Sequence, residues 1–254
     1  MITSTSSSQV KHVVQLQKKS KTRKEFLEFV VEGNKMVAEA PKDRVVKVYV
    51  SENFNNMNLD YIRELNIEDK KIEIVSDSVF MQMSDTKTPQ GVMAIVKMAQ
   101  YEVNDILGEN ALIIAVENLQ DPGNLGTILR MGEGAGITGV IMSSNTVDIY
   151  NPKTIRSTMG SIYRVPFFYA KDFNEELEQL KENGVKIYAA HLDGKNTYTQ
   201  ESYKNATAFL IGNEGNGLTD SVTKKADTLI KIPMQGQVES LNAAIACTIL
   251  TYEA

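Results

Sequence analysis

Residues 232–253 read IPMQGQVESLNAAIACTILTYE, a polar glycine-containing segment followed by an apolar run. Eight of the ten positions from 241 to 250 are apolar, which predicts a helix that is buried on nearly all sides. Ser240 is the expected N-cap, because its hydroxyl can accept from the first free N–H groups of a helix. Ser240, Leu241 and Asn242 are then expected at the helix N-terminus, facing whatever docks there. Taken alone, a capped core helix explains the same residues.

The composition is that of an ordinary globular protein of one large or two modest domains, with 254 residues, 42% hydrophobic and 23% charged. One cysteine excludes an intrachain disulfide, and two histidines leave no visible metal-ligand cluster, so no metal is expected. These features fit a reducing, cytoplasmic setting. No apolar run approaches the roughly 18 residues of a membrane span, and the Ser/Thr-rich start lacks a signal-peptide core. We therefore expect no membrane partner.

The net charge of −5 argues against nucleic-acid binding by the whole surface, but the charge is unevenly distributed. Residues 1–24 carry six basic side chains and no acidic one. Such a basic arm on an acidic chain can track phosphates, although a solvated tail explains it equally well. The candidate RNA-binding residues in the arm are Lys18, Lys19, Lys21, Arg23 and Lys24.

The order of predicted elements divides the chain into two α/β domains. Residues 1–9 are predicted to be disordered, and a helical pattern runs from about residue 21 to residue 40, interrupted by Gly33. Short strands and helices then follow to about residue 100, and the polar segment 101–110 is the predicted linker. From 111 to 254, strands and helices alternate, which predicts a doubly wound, mostly parallel sheet.

Residues 117–130, ENLQDPGNLGTILR, directly follow the apolar strand predicted at 111–116. Ligands of parallel α/β sheets collect at the carboxyl ends of strands, and the turn before Asn124 opens a helix whose free N–H groups suit an anion. Arg130 follows less than two turns later and has the planar fork that suits phosphate. A helix cap and a surface arginine are the alternative interpretation.

Residues 210–218, LIGNEGNGL, place three glycines directly after another predicted strand. Glycines there allow positive φ and a close backbone approach to a ligand, and Glu214 is the lone carboxylate of the loop. An exposed glycine loop is the alternative. The glycines of residues 132–136 close a predicted helix instead of opening one, so we interpret them as a C-cap and not as a dinucleotide loop.

Three motifs occur in order: N-x-G-x-x-x-R at 124–130, IGNEG at 211–215, and IPM followed by SLNA at 232–243. Together they resemble the signature motifs of the SpoU (TrmH-like) RNA 2'-O-ribose methyltransferases of the SPOUT superfamily. Residues 151–160, NPKTIRSTMG, also resemble a sequence of this family, and they add Arg156 as a candidate RNA-binding residue. The VEG at 31–33 and TPQG at 88–91 are similar to a small ribosomal-protein-like substrate-binding domain.

The resemblance implies several properties that composition and spacing do not. The C-terminal domain (111–254) would carry a deep trefoil knot and use S-adenosylmethionine to methylate a ribose 2'-hydroxyl. The partners would be structured RNA, ribosomal more than transfer RNA, gripped by the N-terminal domain (1–100), and a second copy of the chain. A non-catalytic RNA-binding or ribosome-assembly protein on the same scaffold is the alternative.

The resemblance also implies roles for single residues. The resemblance associates Arg130 with loss of the 2'-hydroxyl proton. Because a guanidinium has no acceptor site, we expect Arg130 instead to hold the phosphate and stabilise the developing alkoxide, while the proton leaves through a phosphate oxygen, water or a transiently neutral Arg130. Glu214 would orient Arg130 or the substrate, and Asn124 would hold Arg130 or the ribose. Ser240 and Asn242 would fix the ribose or the methionine moiety. The expected cofactor-binding positions, mainly through the backbone, are Leu210, Gly212, Ile232, Met234, Leu241 and Asn242.

Overall fold

The computed structural model describes residues 1–254 as a chain of short helices and strands. The helices are α1 (Ser8–Lys18), α2 (Ser20–Phe26), α3 (Asn34–Ala38), α4 (Glu52–Met57), α5 (Leu59–Glu64), α6 (Asp77–Met83), α7 (Pro122–Ala135), α8 (Pro152–Thr158), α9 (Phe173–Glu182), α10 (Asp220–Thr223) and α11 (Ala243–Glu253). The strands are β1 (Glu28–Glu32), β2 (Val45–Ser51), β3 (Ile72–Val75), β4 (Val92–Lys97), β5 (Leu112–Val116), β6 (Gly139–Met142), β7 (Phe167–Tyr169), β8 (Lys186–Ala190), β9 (Asn196–Thr197), β10 (Thr207–Ile211) and β11 (Thr228–Lys231).

The chain forms two compact units, and their composition differs from the predicted division. The first unit contains residues 1–99 together with 150–163, and the second contains 100–149 together with 164–254. The hydroxyl of Tyr163 donates to the carbonyl of Met36 at 2.9 Å, and the rings of Tyr150 and Phe29 lie 4.7 Å apart. These buried contacts hold the segment around α8 in the first unit, so the predicted domain 111–254 is interrupted.

The first unit is built on a four-stranded sheet in the order β1-β4-β2-β3. β4 pairs antiparallel with both β1 and β2, whereas β2 and β3 are parallel. One side of the sheet packs against α1 and α6 through a core that includes Val13, Leu16, Phe80 and Met93. The apolar residues of these helices recur at helical spacing, which is the pattern that buries one face of a helix.

The helix predicted across residues 21–40 is wrong in its middle part. Leu27 adopts a left-handed conformation (φ 53°) that ends α2, and residues 28–32 form β1. Phe29, Val30 and Val31 are all buried, and β-branched residues suit a strand that pairs with a neighbour. Pairing with β4, in which Val96 lies 67 positions after its partner Phe29, overrides the local helical pattern.

The predicted disorder of residues 1–9 is also wrong. The N–H of Ile2 donates to the carbonyl of Ile74 at 2.8 Å, and Ser76 donates back to the carbonyl of Ile2 at 2.9 Å. The chain start therefore lies along β3, and α1 begins at Ser8.

The second unit contains a seven-stranded, entirely parallel sheet in the order β7-β6-β5-β10-β8-β11-β9. This confirms the predicted α/β class with a parallel core. Five of its strands lie where apolar runs predicted them, but β7 and β9 were missed because they have only 3 and 2 residues. Gly136 closes α7 in the left-handed conformation (φ 80°), as the interpretation of residues 132–136 required.

The direction of strand addition reverses between β5 and β10. β6 and β7 extend the sheet on one side of β5, and β8 and β11 extend it beyond β10. Ile211 and Val116 are register partners, so the loops that begin at 117 and 212 leave the sheet side by side. Parallel sheets bind ligands at this kind of crevice, outside the carboxyl ends of the strands.

The closing helix differs from its prediction in two respects. Asn242 is the N-cap of α11 and Ser240 lies outside the helix, because the Asn242 side chain accepts from Ala244 N–H and Ile245 N–H. The helix is also not buried all round, since Ile245 is 54% exposed and Tyr252 is 62% exposed. None of the helices combines the length and the apolar character that a bilayer crossing requires. The structure contains no group of three or more His, Cys, Asp or Glu that could hold a metal ion.

Candidate active site

The carboxylate of Glu214 ties the loop after β10 to the loop after β5. Its two oxygens accept from the N–H groups of Gln120 at 3.1 Å and Asp121 at 3.0 Å, and from the side-chain amide of Asn124 at 3.0 Å. Asp121 in turn caps α7 by accepting from the N–H of Asn124 at 2.8 Å. Glu214 thus fixes the entrance of α7, where free N–H groups and the helix dipole favour negative charge.

Asn124 extends this connection to the last helix. Its amide nitrogen donates to Glu214, and its amide oxygen accepts from the side-chain amide of Asn242 at 2.9 Å. Asn242 caps α11 with its own oxygen, at 2.9 Å from Ala244 N and 3.3 Å from Ile245 N. The three segments carrying the sequence motifs therefore converge, as predicted, through the side chains of residues 214, 124 and 242.

The surroundings of Glu214 favour its ionised form. Burial alone raises the pKa of the carboxyl, but hydrogen bonds from the Asn124 side chain and from the backbone of residues 214, 121 and 120 lower it by more. The pKa of Glu214 is therefore below its ordinary value of 4.5, and the side chain is a carboxylate at neutral pH.

Asn118 and Asn213 form a second link between the two loops, which the sequence analysis did not single out. The amide of Asn213 donates to the carbonyl of Asn118 at 2.8 Å, and its oxygen accepts from the N–H groups of Gly215 and Asn216. Asn118 has φ 54°, a conformation that asparagine tolerates better than most residues. Asparagines at the second position after two adjacent parallel strands were the available signal.

Glu117 also acts across the two loops, and its role was missed. Its buried carboxylate accepts from the N–H of Thr219 at 2.8 Å and from the Thr219 hydroxyl at 2.7 Å. Thr219 is the N-cap of α10, so Glu117 fixes the far end of the glycine loop. Both ends of the loop 212–219 are therefore held to the end of β5.

Gly212 allows the glycine loop to fold back on itself. A Cβ added at Gly212 would lie 2.2 Å from the carbonyl carbon of Gly217 and 2.4 Å from the nitrogen of Leu218. Asn213 and Gly217 exchange backbone hydrogen bonds of 3.0 and 2.9 Å directly beside this contact. A side chain at 212 would separate these strands of the loop.

Arg130 lies exposed on α7 and makes no ion pair or hydrogen bond within the chain. Neither Glu214 nor Asn124 contacts Arg130 within the chain, because both side chains are committed to each other and to the loop backbone. Their other expected contacts, with the substrate for Glu214 and with the ribose for Asn124, stay predictions. The guanidinium is left free to meet an external anion.

The segment 232–241 supplies the unpaired backbone of the site. Beyond the strand pairing of β11, residues 233–241 make no hydrogen bond with the rest of the backbone, and the segment ends at the Asn242 cap. Ile232, Met234 and Leu241 are half-buried and Ser240 is exposed. Leu210, by contrast, is fully buried in the penultimate position of β10, so its side chain belongs to the core. Free main-chain donors and acceptors beside apolar side chains suit a nucleoside.

The candidate RNA-binding residues all lie in the first unit, but they do not form one class. Lys18, Lys19, Lys21 and Lys24 are exposed. Arg23 is 4% exposed and donates to the carbonyls of Leu16 at 2.6 Å and Gln17 at 3.0 Å, so its predicted contact with RNA is wrong.

Arg156 is exposed on α8, and its guanidinium pairs with Asp85 at 2.8 Å. Arg156 can therefore bind RNA only if its guanidinium also bonds Asp85 or the ion pair breaks.

The parallel sheet, its switch point and the convergence of three polar loops define an α/β protein with a crevice of the ligand-binding kind at the carboxyl ends of its strands, and with a second α/β unit. The SpoU rRNA Methylase family matches residues 111–252, and the MRM3-like substrate binding domain matches residues 7–94. The chain therefore belongs to the SpoU rRNA methylase family.

Individual relatives cover nearly the whole chain. The 23S rRNA (guanosine(2553)-2'-O)-methyltransferase RlmP of Bacillus subtilis (strain 168) is 32% identical over 92% of this chain and 92% of its own length. The AdoMet-bound rRNA methyltransferase of Sinorhizobium meliloti has a TM-score of 0.84 at 29% identity, over 99% of this chain and 95% of that one. The SpoU methyltransferase AviRb of Streptomyces viridochromogenes, in complex with AdoMet, has a TM-score of 0.86 at 25% identity, over 97% and 96%.

Proposed function

We propose that the chain transfers a methyl group from S-adenosylmethionine to a ribose 2'-hydroxyl of ribosomal RNA. The observation that carries this proposal is the convergence of Glu214, Asn124 and Asn242 at the start of α7. The same helix carries the unpaired guanidinium of Arg130. Membership of the SpoU rRNA methylase family and the 32% identity to a 23S rRNA 2'-O-methyltransferase support the substrate class.

The residues present fit the methyl donor. The unpaired backbone of 232–241 would hold the adenosyl group, and the half-buried side chains of Ile232, Met234 and Leu241 would cover its apolar surface. Gly212 would offer its backbone to the donor, while its lack of a side chain lets the loop after β10 fold back on Gly217 and Leu218. When bound, S-adenosylmethionine supplies an electrophilic methyl group on a sulfonium.

The side chains of the site then have separate tasks. Arg130 binds the phosphate of the target nucleotide and stabilises the negative charge that develops on the 2'-oxygen as its proton leaves. A guanidinium has no acceptor site, so the proton passes to a phosphate oxygen or to water instead of to Arg130. Asn124 is hydrogen-bonded to both Glu214 and Asn242, and the three side chains act as positioning residues for the three loops. Ser240, exposed beside Asn242, would contact the ribose.

The test is methyl transfer by the purified chain. Tritiated S-adenosylmethionine and ribosomal RNA transcripts should give RNA-bound label, and the modified nucleotide should resist alkaline hydrolysis on its 3' side. Arg130→Ala should lower kcat/KM by about 100-fold or more, as expected when a residue that stabilises transition-state charge is removed. Arg63→Ala changes another exposed arginine, paired only with Asp60 on α5, and should have no effect.

RNA binding without methyl transfer would favour the alternative, a non-catalytic RNA-binding or ribosome-assembly protein. Full activity of Arg130→Ala would remove Arg130 from the mechanism.

We also propose a homodimer. Ile245, Ile249 and Tyr252 share one face of α11 at spacings of four and three residues, and two of them are more than half exposed. An exposed apolar helix face of this kind suits a second copy of the chain. Tyr252→Arg should convert a dimer to a monomer in light scattering, whereas Leu59→Arg on α5 should not.

We further propose that the C-terminal segment forms a trefoil knot and that the protein is cytoplasmic. The approach of the loops at 212–219 and 232–242 to the end of β5 supports a threaded C-terminal segment. A ribosomal RNA substrate and a single, buried free cysteine support a cytoplasmic location.

A further inference from the structure

A cleft of ≈ 490 Å³ opens in the first unit between α4, α6 and the loop before β4. The loop before β4 supplies Gln90, and the two helices supply Phe54, Met57, Asn53, Asp77 and Met81. The volume lies within the range of small-ligand sites, which runs from roughly 300 to 1,000 Å³. None of these residues belongs to the crevice of the second unit described above.

The apolar part of the cleft combines a fixed ring with two adaptable side chains. Phe54 is buried, and its ring packs edge-on against Tyr61 at 5.6 Å with an interplanar angle of 88°. Met57 is 75% exposed and Met81 is 56% exposed. Methionine side chains are flexible and polarizable, so they can close on a flat ligand that rests against the phenyl ring.

The polar part of the cleft has unused hydrogen-bonding groups. One oxygen of Asp77 accepts from the N–H of Asn53 at 3.1 Å, and its other oxygen and the Asn53 side-chain amide have no partner in the chain. The amide oxygen of Gln90 accepts from the N–H of Asn34 at 2.8 Å, which leaves the Gln90 NH₂ free to donate. The cleft therefore offers both an acceptor and a donor.

The loop that carries Gln90 is held in place before any ligand arrives. The carboxylate of Glu32 accepts from the hydroxyls of Ser84 at 2.8 Å and Thr86 at 2.9 Å. Gly33 adopts φ +100°, and a Cβ there would lie 2.8 Å from the Gln90 oxygen. A site that is already ordered loses less entropy on binding.

We propose that this cleft receives one unpaired nucleobase of the RNA substrate. The inference rests on the proposed function. Unpaired bases are recognised by stacking on aromatic side chains and by hydrogen bonds along their edges, which are the two features that Phe54 and the Asp77–Gln90 pair provide. The Asp77 carboxylate disfavours a phosphate inside the cleft and suits the amino or imino donors of a base. Lys87, exposed in the same loop, lies outside the cleft lining and can meet the phosphate.

The test compares five hairpin RNAs that differ only at one bulged nucleotide. In four of them this nucleotide carries A, C, G or U, and in the fifth it is abasic. The full-length protein should bind at least one base-carrying RNA about tenfold more tightly than the abasic RNA, consistent with the worth of one stacked base. The double variant Asn53→Ala/Met81→Ala should lose this preference and bind the abasic RNA as the wild type does.

Leu59→Ala is the matched control, because Leu59 is exposed in the same unit but does not line the cleft. It should keep the tenfold preference. A 4-thiouridine at the bulge should also cross-link to peptides that contain residues 53–57 or 77–81.

Equal binding of all base-carrying and abasic RNAs, an unchanged preference in the double variant, or cross-links only elsewhere would each overturn the proposal. A cleft that instead holds a segment of a ribosomal protein would leave naked-RNA binding of the variant unchanged, and so gives one of these results. Methyl transfer to ribosomal RNA, measured on the same preparations, separates the two proposals. If it persists while base preference is absent, only the nucleobase site is lost; if it is absent, the proposed function fails.

Discussion

The side-chain amide of Asn242 donates to the amide oxygen of Asn124 at 2.9 Å, although 118 positions separate the two residues. The direction of this bond is determined by its neighbours. The oxygen of Asn242 already accepts from the N–H groups of α11, and the nitrogen of Asn124 already donates to Glu214. Hydrogen-bond donation therefore runs one way, from α11 through Asn242 and Asn124 to a carboxylate that accepts only.

Replacing the Asn124 side-chain donor by an acceptor should destabilise the protein more than removing the side chain. Asn124→Asp places a carboxylate against the oxygens of Glu214, whereas Asn124→Ala only removes the bridge. Both variants should lose most methyl transfer, and Asn124→Asp should also be less stable than Asn124→Ala by about 1 kcal/mol because of like-charge repulsion. Urea unfolding at pH 7 measures the difference. Equal stability of the two variants would contradict the one-way arrangement.

Asn242 has two roles that substitution can separate. Asn242→Ser keeps a good N-cap but is too short to reach Asn124, whereas Asn242→Ala loses both roles. Activity should fall equally in the two variants, while only the alanine variant should lose about 1 kcal/mol of stability. Asp172→Ala removes the cap of α9, far from the site in sequence, and should lower stability without lowering kcat/KM. An active Asn242→Ser variant would show that the bond to Asn124 is dispensable.

The contribution of Glu214 to stability should depend on pH in a defined direction. Its pKa is lowered in the folded state, so its stabilisation is complete above the ordinary value of 4.5 and is lost as the pH falls through the lowered value. Glu214→Gln should cost about 1 kcal/mol at pH 7, a modest amount because the side chain is exposed and screened by water. The difference in unfolding free energy between the wild type and Glu214→Gln should disappear on acidification.

Chemical denaturation at pH 7, 5 and 3.5 checks this dependence. Glu25→Gln changes an exposed carboxylate with no hydrogen bond in the chain and should give no gap at any pH. A gap for Glu214→Gln that widens on acidification would reverse the sign and refute the assignment.

The sequence was most informative where structure is locally encoded. Continuous apolar runs predicted β5, β6, β8 and β10, because a strand buried on both faces needs apolar residues at every position. The convergence of residues 124, 214 and 242 followed from the order of motifs after parallel strands.

Long-range contacts explain most of what the sequence did not reveal. Residues 28–32 carry a helical spacing but pair with β4, and the segment 150–163 packs with residues that precede it by more than 100 positions. Arg23 looks like part of a basic surface, yet the geometry of two helices buries it on backbone carbonyls. Glu117 and Asn118 were visible beside the motif, but nothing local indicates which loop they hold.

Gly212 should tolerate no side chain. Gly212→Ala drives a methyl group into the backbone of Gly217 and Leu218, contacts that rigid main chain cannot relieve. Overpacking of this kind costs about 1–3 kcal/mol, and opening the loop should also displace Glu214 and abolish methyl transfer. Gly108→Ala is the control, because no atom lies within 4 Å of a Cβ there and Gly108 lies outside the proposed cofactor-binding segments. Thermal unfolding and methyl transfer measured on both variants distinguish a steric requirement from general loop sensitivity.

The basic residues of the first 24 positions should separate into a structural residue and RNA-binding residues. Arg23→Ala leaves the carbonyls of Leu16 and Gln17 without their buried donor and should cost about 2 kcal/mol of stability. The triple variant Lys18→Ala/Lys21→Ala/Lys24→Ala changes exposed side chains and should leave stability nearly unchanged. It should instead weaken RNA binding and reduce the slope of log K against log salt by about 2, as phosphate contacts are lost.

Filter binding at several salt concentrations, with urea unfolding of the same samples, measures both effects. An unchanged salt slope in the lysine variant would place the RNA-binding surface elsewhere on the first unit, and a stable Arg23→Ala variant would return Arg23 to the RNA-binding candidates.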